Sequence, residues 1–310
     1  MNCARSLAFA AMVAATSVAG LGDARGDWRQ EVPVFRIGVL GGGLQERRLQ
    51  DFACLKERAR RALDVPVELR ASRDYSGITA GLLSGDLQAA GLGPADYAGI
   101  FLQDPEAIEP IATLQQEDGT LGYRSVLLVR ADSPYQTLAD LRGRSLMFTE
   151  RLSASGFLIP YHELTKQGYR PERFFGRLGF SGSHAEAVAA VLNGQADAGV
   201  TWSSGVGDHA NGYSEGHLRR MVERGLLDMN DVRILWTSEL IPSGPLVVRK
   251  DLPKEAKEIY RDVLLDLADR DRKCFEKIVG DHAVDFESIT HDRYEILIDI
   301  RRNGVNGGDF

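Results

Sequence analysis

Apolar and polar positions change period several times along this chain, and each change marks an element. "VFRIGVL" (34–40) is a nearly unbroken apolar run and predicts a buried strand. In the next twenty residues Leu49, Phe52, Leu55, Ala59 and Leu63 fall at helical spacing, and "VPVELRAS" (65–72) then alternates as a strand does. Strand, helix, strand is a βαβ unit, which requires parallel strands covered by helices. The pattern continues with a short helix over 78–84, a strand in "LQAAGLG", a helix opened by Pro94, and strands in "IATLQ" and "YRSVLLVRAD". A second βαβ set follows: a strand to Phe148, a helix from about Ser155, "FFGRLGF", a helix from about Ser183 and the strand "ADAGVTW". "VRILWTS" and "PLVVRK" read as further strands, with helices from about Pro253 to the end. "LLSGDLQAAG" and "VLNGQADAG" echo each other faintly, as the ends of two related lobes would.

Chain length sharpens that picture. The 310 residues are enough for roughly two domains, each with its own core. We expect crossings between lobes near 129–134 and near 238–245, a two-strand hinge. Lobe one is then 33–131 with 241–310, and lobe two is 132–240. A cleft between such lobes collects the C-terminal ends of the strands. The N-terminus carries Arg5, an apolar stretch from Leu7 to about Val18 and then small residues, so residues 1–24 read as a signal peptide and the protein as exported. A retained N-terminal anchor is the alternative; the stretch is too short to span a bilayer. Cys3 precedes the apolar stretch and is not placed for a lipid anchor.

Net charge is −7, with no long basic run, which argues against a nucleic-acid partner. Cys54 and Cys274 would remain after cleavage, as a disulfide or as two buried thiols. Neither neighbours a His at ligand spacing, so no metal site and no cofactor are expected. Gly41-Gly42-Gly43 lacks the third glycine spacing of a dinucleotide loop and reads as a tight turn. A hydrolase triad built on His184 and Asp197 lacks a nucleophile elbow.

Four segments share one design, a strand end, small or hydroxyl residues, then a helix start. They are "DYSGI" at Tyr75, "GLGPADY" at Tyr97, "RLSASGF" at Ser153 and Ser155, and "FSGSHAEA" at His184. A helix start leaves N–H groups unpaired and carries partial positive charge, so several aimed at one cleft would hold an oxyanion. Helix ends contribute about 0.3–1 kcal/mol each and hydrogen bonds to a charged group about 1.5–3, so four or five such bonds can reach the ~8 kcal/mol of micromolar affinity before binding costs. Each serine alone reads as well as a plain cap; the case rests on co-occurrence.

At these residues the chain resembles a known family. "SxSGFLIP", then "GSHxxAVxAVLNGxADAG", then "SELIPSGPLVVRxDLP" is similar to the periplasmic phosphonate/phosphite-binding proteins of ABC importers, over roughly 34–294. The resemblance implies a two-lobed type II periplasmic binding protein, each lobe a mostly parallel α/β sheet flanked by helices. It implies a phosphonate held by Tyr75, Tyr97, Ser153, Ser155 and His184, with Ala154, the middle residue of the Ser-x-Ser motif, offering only its backbone N–H. Trp202 could wall the pocket, and Ser203 stands where relatives that take aminoalkyl ligands place an acidic residue. Ser203-Ser204 and Ser243-Gly244 hold no carboxylate, which favours phosphite, methylphosphonate or phosphate. The implied partner is an ABC permease, or in an alternative reading a membrane sensor kinase reporting an oxyanion such as arsenate. A monomer is expected. His184, if charged, would weaken binding as pH climbs past neutrality.

Overall fold

The computed structural model describes residues 27–41, 44–279 and 283–303; the expected signal peptide and Gly42-Gly43 lie outside them. The first half-lobe runs β1 (Phe35–Leu40), α1 (Gln45–Asp51), α2 (Ala53–Leu63), β2 (Val67–Ser72), α3 (Tyr75–Ser84), β3 (Ala89–Gly91), α4 (Pro94–Gln103) and β4 (Ile108–Gln116). The second lobe holds β5 (Gly122–Arg130), β6 (Ser145–Phe148), α5 (Ile159–Lys166), α6 (Pro171–Phe174), β7 (Arg177–Phe180), α7 (His184–Leu192), β8 (Ala198–Ser203), α8 (His217–Glu223), β9 (Val232–Thr237) and β10 (Ile241–Pro242). The chain then returns with β11 (Leu246–Arg249), α9 (Lys254–Leu265), α10 (Leu267–Arg270), α11 (Arg272–Val279), β12 (Ala283–Glu287) and α12 (Glu295–Arg302).

Sheet one is ordered β12-β4-β11-β3-β1-β2, and sheet two β10-β5-β8-β6-β7 with β9 also on β5. Both are mixed, which corrects the mostly parallel expectation. The β1, β2 and β3 strands are parallel, but β11, β4 and β12 join antiparallel. The same holds in sheet two, where β6, β7 and β8 are parallel and β5 runs against β8. Strands that carry the chain between sheets enter without a crossover helix, so parallel geometry is not imposed on them.

The crossings decide where the cleft sits. The second falls between Pro242 and Leu246. The first lies at 117–121, because β5 pairs wholly within sheet two. It is therefore earlier than 129–134. An apolar strand such as "YRSVLLVR" carries no mark of the sheet it will join. β12 is a second departure, a strand inside a stretch read as helical.

Local signals explain most boundaries. Asp74 caps α3 by accepting the Gly77 N–H at 3.0 Å, and Pro94 starts α4 where no N–H is needed. Gly85 (φ 87°) and Gly194 (φ 70°) end α3 and α7 in the left-handed region. The small residues Ala89 and Ala198 then enter the two sheet centres fully buried. Cys54 on α2 and Cys274 on α11 form a disulfide, with Cα atoms 5.8 Å apart. Closing so long a loop is worth about 5 kcal/mol in chain entropy.

Candidate functional site

A cavity of about 1250 Å³ opens between the sheets and is lined from both. Tyr75, Ser153, Ala154, Ser155, His184 and Trp202 all line it. They follow or end β2, β6, β7 and β8, so the cleft collects C-terminal strand ends, as open α/β sheets do.

The second lobe contributes two helix starts. Ser153 Oγ accepts the Gly156 N–H at 3.0 Å and begins a π turn, Ala154–Leu158, that runs into α5. Its wide winding shows in Leu158 N–H donating to the Ser153 carbonyl at 3.0 Å. Ahead of that bond, the N–H groups of Ala154 and Ser155 have no intrahelical acceptor. Gly156 is required here: a Cβ would stand 1.6 Å from Thr149 Oγ1. The apolar "FLIP" run anchors the turn, with the Phe157 ring 5.1 Å from those of Phe148 and Phe180. Ser155 is buried; its carbonyl accepts Ser125 Oγ at 2.6 Å, and its hydroxyl lies at the Tyr123 phenol. Ser153 is thus a cap, and the two amides that follow it are left without an intrahelical partner.

His184 opens α7, which Ser183 caps by accepting the Glu186 N–H at 3.2 Å. Its Nδ1 lies 3.4 Å from Thr201 Oγ1 and its ring 5.5 Å from His217. Burial, with smaller contributions from His217 and Arg220, pushes its pKa down to about 3. With no anion beside it, His184 is therefore neutral at physiological pH. It can still donate one N–H. The triad is not assembled either, since Asp197 accepts Ser145 N–H, Ser145 Oγ and Tyr135 O–H at 2.7–2.9 Å.

The first lobe contributes less than expected. Tyr75 faces the cleft and is 37% exposed. Tyr97 does not. It is 1% exposed, packs against Tyr294 at 4.8 Å and joins its hydroxyl to His291 Nδ1 at 2.8 Å. One residue earlier, Asp96 lines the cleft instead, because a helix turns its side chains by about 100° per residue. Its carboxylate lies against the amides of Gly93 and Asp96, and burial pushes its pKa up to about 6 despite the nearby Arg301.

Ser203 is also turned away: fully buried, its Oγ accepts the Gly205 N–H at 3.2 Å. The carboxylate missing from that strand end arrives from elsewhere. Gly216 (φ 123°) bridges to Ser203, and Glu215 beside it reaches the cavity. Its Oε2 is buried with no hydrogen-bond partner among the described residues. Trp202 walls the cleft, edge-on to Tyr123 at 5.1 Å and under the Arg220 guanidinium at 5.4 Å. Tyr123, Asp96, Glu150, Glu215 and Arg220 were not singled out in the sequence. Only Asp96 carried a local sign, its place in the first turn after Pro94.

The profile of the family described as "ABC transporter, phosphonate, periplasmic substrate-binding protein" matches residues 43–294. The phosphate-import protein PhnD of Mycolicibacterium smegmatis is 25% identical over 68% of this chain and 64% of its own length. The phosphonates-binding periplasmic protein of Escherichia coli K12 is 24% identical over 84% and 73%. The match thus spans just under two thirds of the first of these relatives. Among solved structures, XAC2383 from Xanthomonas citri bound to ATP superposes with a TM-score of 0.67 at 20% identity, covering 87% of this chain and 98% of that one. That likeness establishes the two-lobed fold. The chain belongs to the phosphonate family of periplasmic substrate-binding proteins of ABC transporters.

Proposed function

We propose that this protein captures a small tetrahedral oxyanion of the phosphonate, phosphite or phosphate type in the interlobe cleft and hands it to an ABC permease. One observation carries the reading: Ala154 and Ser155, whose N–H groups have no intrahelical acceptor, line one cavity with His184 and Tyr75, and that cavity is walled by both sheets. Formal charge cannot hold the anion alone, because the cavity walls carry Arg48, Arg220 and Arg301 against Asp74, Asp96, Glu150 and Glu215. Amides and hydroxyls must do it, each bond to a charge being worth about 1.5–3 kcal/mol.

A ligand bound by Tyr75 on one lobe and the Ser153–Ser155 turn on the other favours the closed form by its differential affinity. The permease then reads closure. Glu215 and Asp96 also remove the charge argument against an ammonium-bearing ligand, so aminoethylphosphonate belongs among the candidates. Thermal unfolding with phosphite, methylphosphonate, aminoethylphosphonate, phosphate or sulfate tests this. A true ligand at a hundred times its Kd adds about 2.7 kcal/mol, roughly 5–10 °C in Tm. No shift with any phosphorus oxyanion overturns the reading.

A further inference from the structure

Asp96 is an acid placed where an anion is to bind. Gly93 lets its carboxylate fold back over the start of α4: a Cβ there would stand 2.6 Å from Asp96 Oδ2, with the Tyr75 ring 3.8 Å from the same point. Around it stand Arg301 from α12, Glu150 from the loop after β6, Tyr75 from α3 and Tyr123 from β5. Arg301 donates to the Ala95 carbonyl at 2.7 Å and draws Asp96 toward ionisation; Glu150 opposes it. Burial outweighs both, so the group already holds its proton more tightly than an ordinary aspartate. Two oxyanions pressed together in such a site cannot both stay fully ionised. A guest anion meeting this carboxylate must share one proton with it.

Resting on the oxyanion reading above, we propose that Asp96 accepts a hydrogen bond from the ligand's own hydroxyl and so selects oxyanions that carry a proton near neutral pH. Phosphonates, phosphite and phosphate do so; sulfate and sulfonates do not. The proton count is the same by either route. A monoanion keeps its P–O–H and donates it to the ionised Asp96, whereas a dianion binds with one proton taken up from water onto the pair. A sulfonate brings none, so it binds only the fraction of protein in which water has already protonated Asp96.

Titration calorimetry of methylphosphonate and methanesulfonate between pH 5.5 and 8.5 separates the cases. In the wild type, methanesulfonate affinity falls roughly tenfold per pH unit above 6, while methylphosphonate holds until its own second proton is lost. By pH 8 the preference for methylphosphonate has widened by about tenfold or more over its value at pH 5.5. Asp96→Asn narrows that preference by about tenfold or more and leaves methanesulfonate binding independent of pH. A wild-type preference that stays constant across the range overturns the proposal while leaving the oxyanion reading intact, and this arm needs no variant to fold. An unchanged preference in a folded Asp96→Asn protein overturns it too. Binding of neither ligand at any pH removes both readings together.

Discussion

The two lobes repeat one plan and differ in how their helices begin. Sheet one places β2, β1, β3 and β11 side by side; sheet two places β7, β6, β8 and β5 in the same relation. In both, a helix ends at a left-handed glycine and feeds a strand of small residues at the sheet centre. At the cleft the symmetry stops. Lobe one caps α3 with Asp74 and lays the Asp96 carboxylate over the start of α4; lobe two caps with Ser153 and Ser183. A carboxylate at a helix start cancels the partial positive charge there, whereas a serine satisfies one amide and adds no charge. On the proposed reading, lobe two then supplies the anion-holding helix starts, and lobe one a phenol and a proton acceptor. One fold used twice yields two different half-sites through its caps.

Exchanging the caps is the strongest way to break that comparison. Ser153→Asp keeps a group able to accept the Gly156 N–H, so melting stays within a few degrees of wild type. It also sets a negative charge beside the amides of Ala154 and Ser155. Phosphonate affinity, measured by calorimetry, should fall by about a hundredfold, since a like charge about 4 Å away costs roughly 3 kcal/mol at the effective dielectric of a partly buried site. Retained micromolar binding in the folded variant would show that those amides do not face the ligand.

The four junctions were legible in the sequence, because caps are local, but there they read as one design and the contrast between acid and hydroxyl caps did not show. Asp74, Ser153 and Ser183 each sit just ahead of an apolar-periodic run, and the four strand-to-helix junctions were visible from spacing alone. What the sequence could not show depends on distant partners. Tyr97 and Asp96 are neighbours in one helix turn, and only packing of α12 and Tyr294 against α4 decides which of them faces the cleft. Glu215 reaches the site by a bridge from Gly216 to Ser203 that no local pattern encodes. Which sheet β5 joins is likewise a property of its pairing and not of its composition.

Two groups at the cleft, one from each lobe, respond to pH with opposite sign. His184 has a folded pKa of about 3, below the 6.5 of an exposed histidine, so below pH 6.5 the unfolded chain binds a proton that the folded chain refuses. Stability is lost on the acid side, by about 2 kcal/mol at pH 5 relative to pH 8. Asp96 is the mirror case: its folded pKa of about 6 exceeds the ordinary 3.8, so its favourable contribution is complete below 3.8 and is lost as pH rises through 6. Melting curves of His184→Gln and Asp96→Asn against wild type should separate the two. The advantage of His184→Gln grows as pH falls from 7 to 5, and that of Asp96→Asn grows as pH rises from 5 to 7. Parallel curves for either variant would remove that residue from the pH account.

Tyr97→Phe is the mildest change and sharpens the comparison from lobe one. The resemblance to phosphonate-binding proteins implied a ligand contact, and losing a hydroxyl that binds a charged oxyanion costs about 1.5–3 kcal/mol, or ten- to a hundredfold in affinity. In this structure the hydroxyl is joined to His291 behind the cleft, and the ring is held by Tyr294. Its removal should therefore leave phosphonate affinity within about twofold and lower stability by about 1 kcal/mol through the lost buried hydrogen bond. The ring stays in place, so the start of α4 and the aim of Asp96 are preserved. A tenfold loss of affinity without loss of stability would mean that Tyr97 turns into the cleft when ligand binds. Lobe one would then hold the anion directly, and the division of labour between the lobes would have to be redrawn.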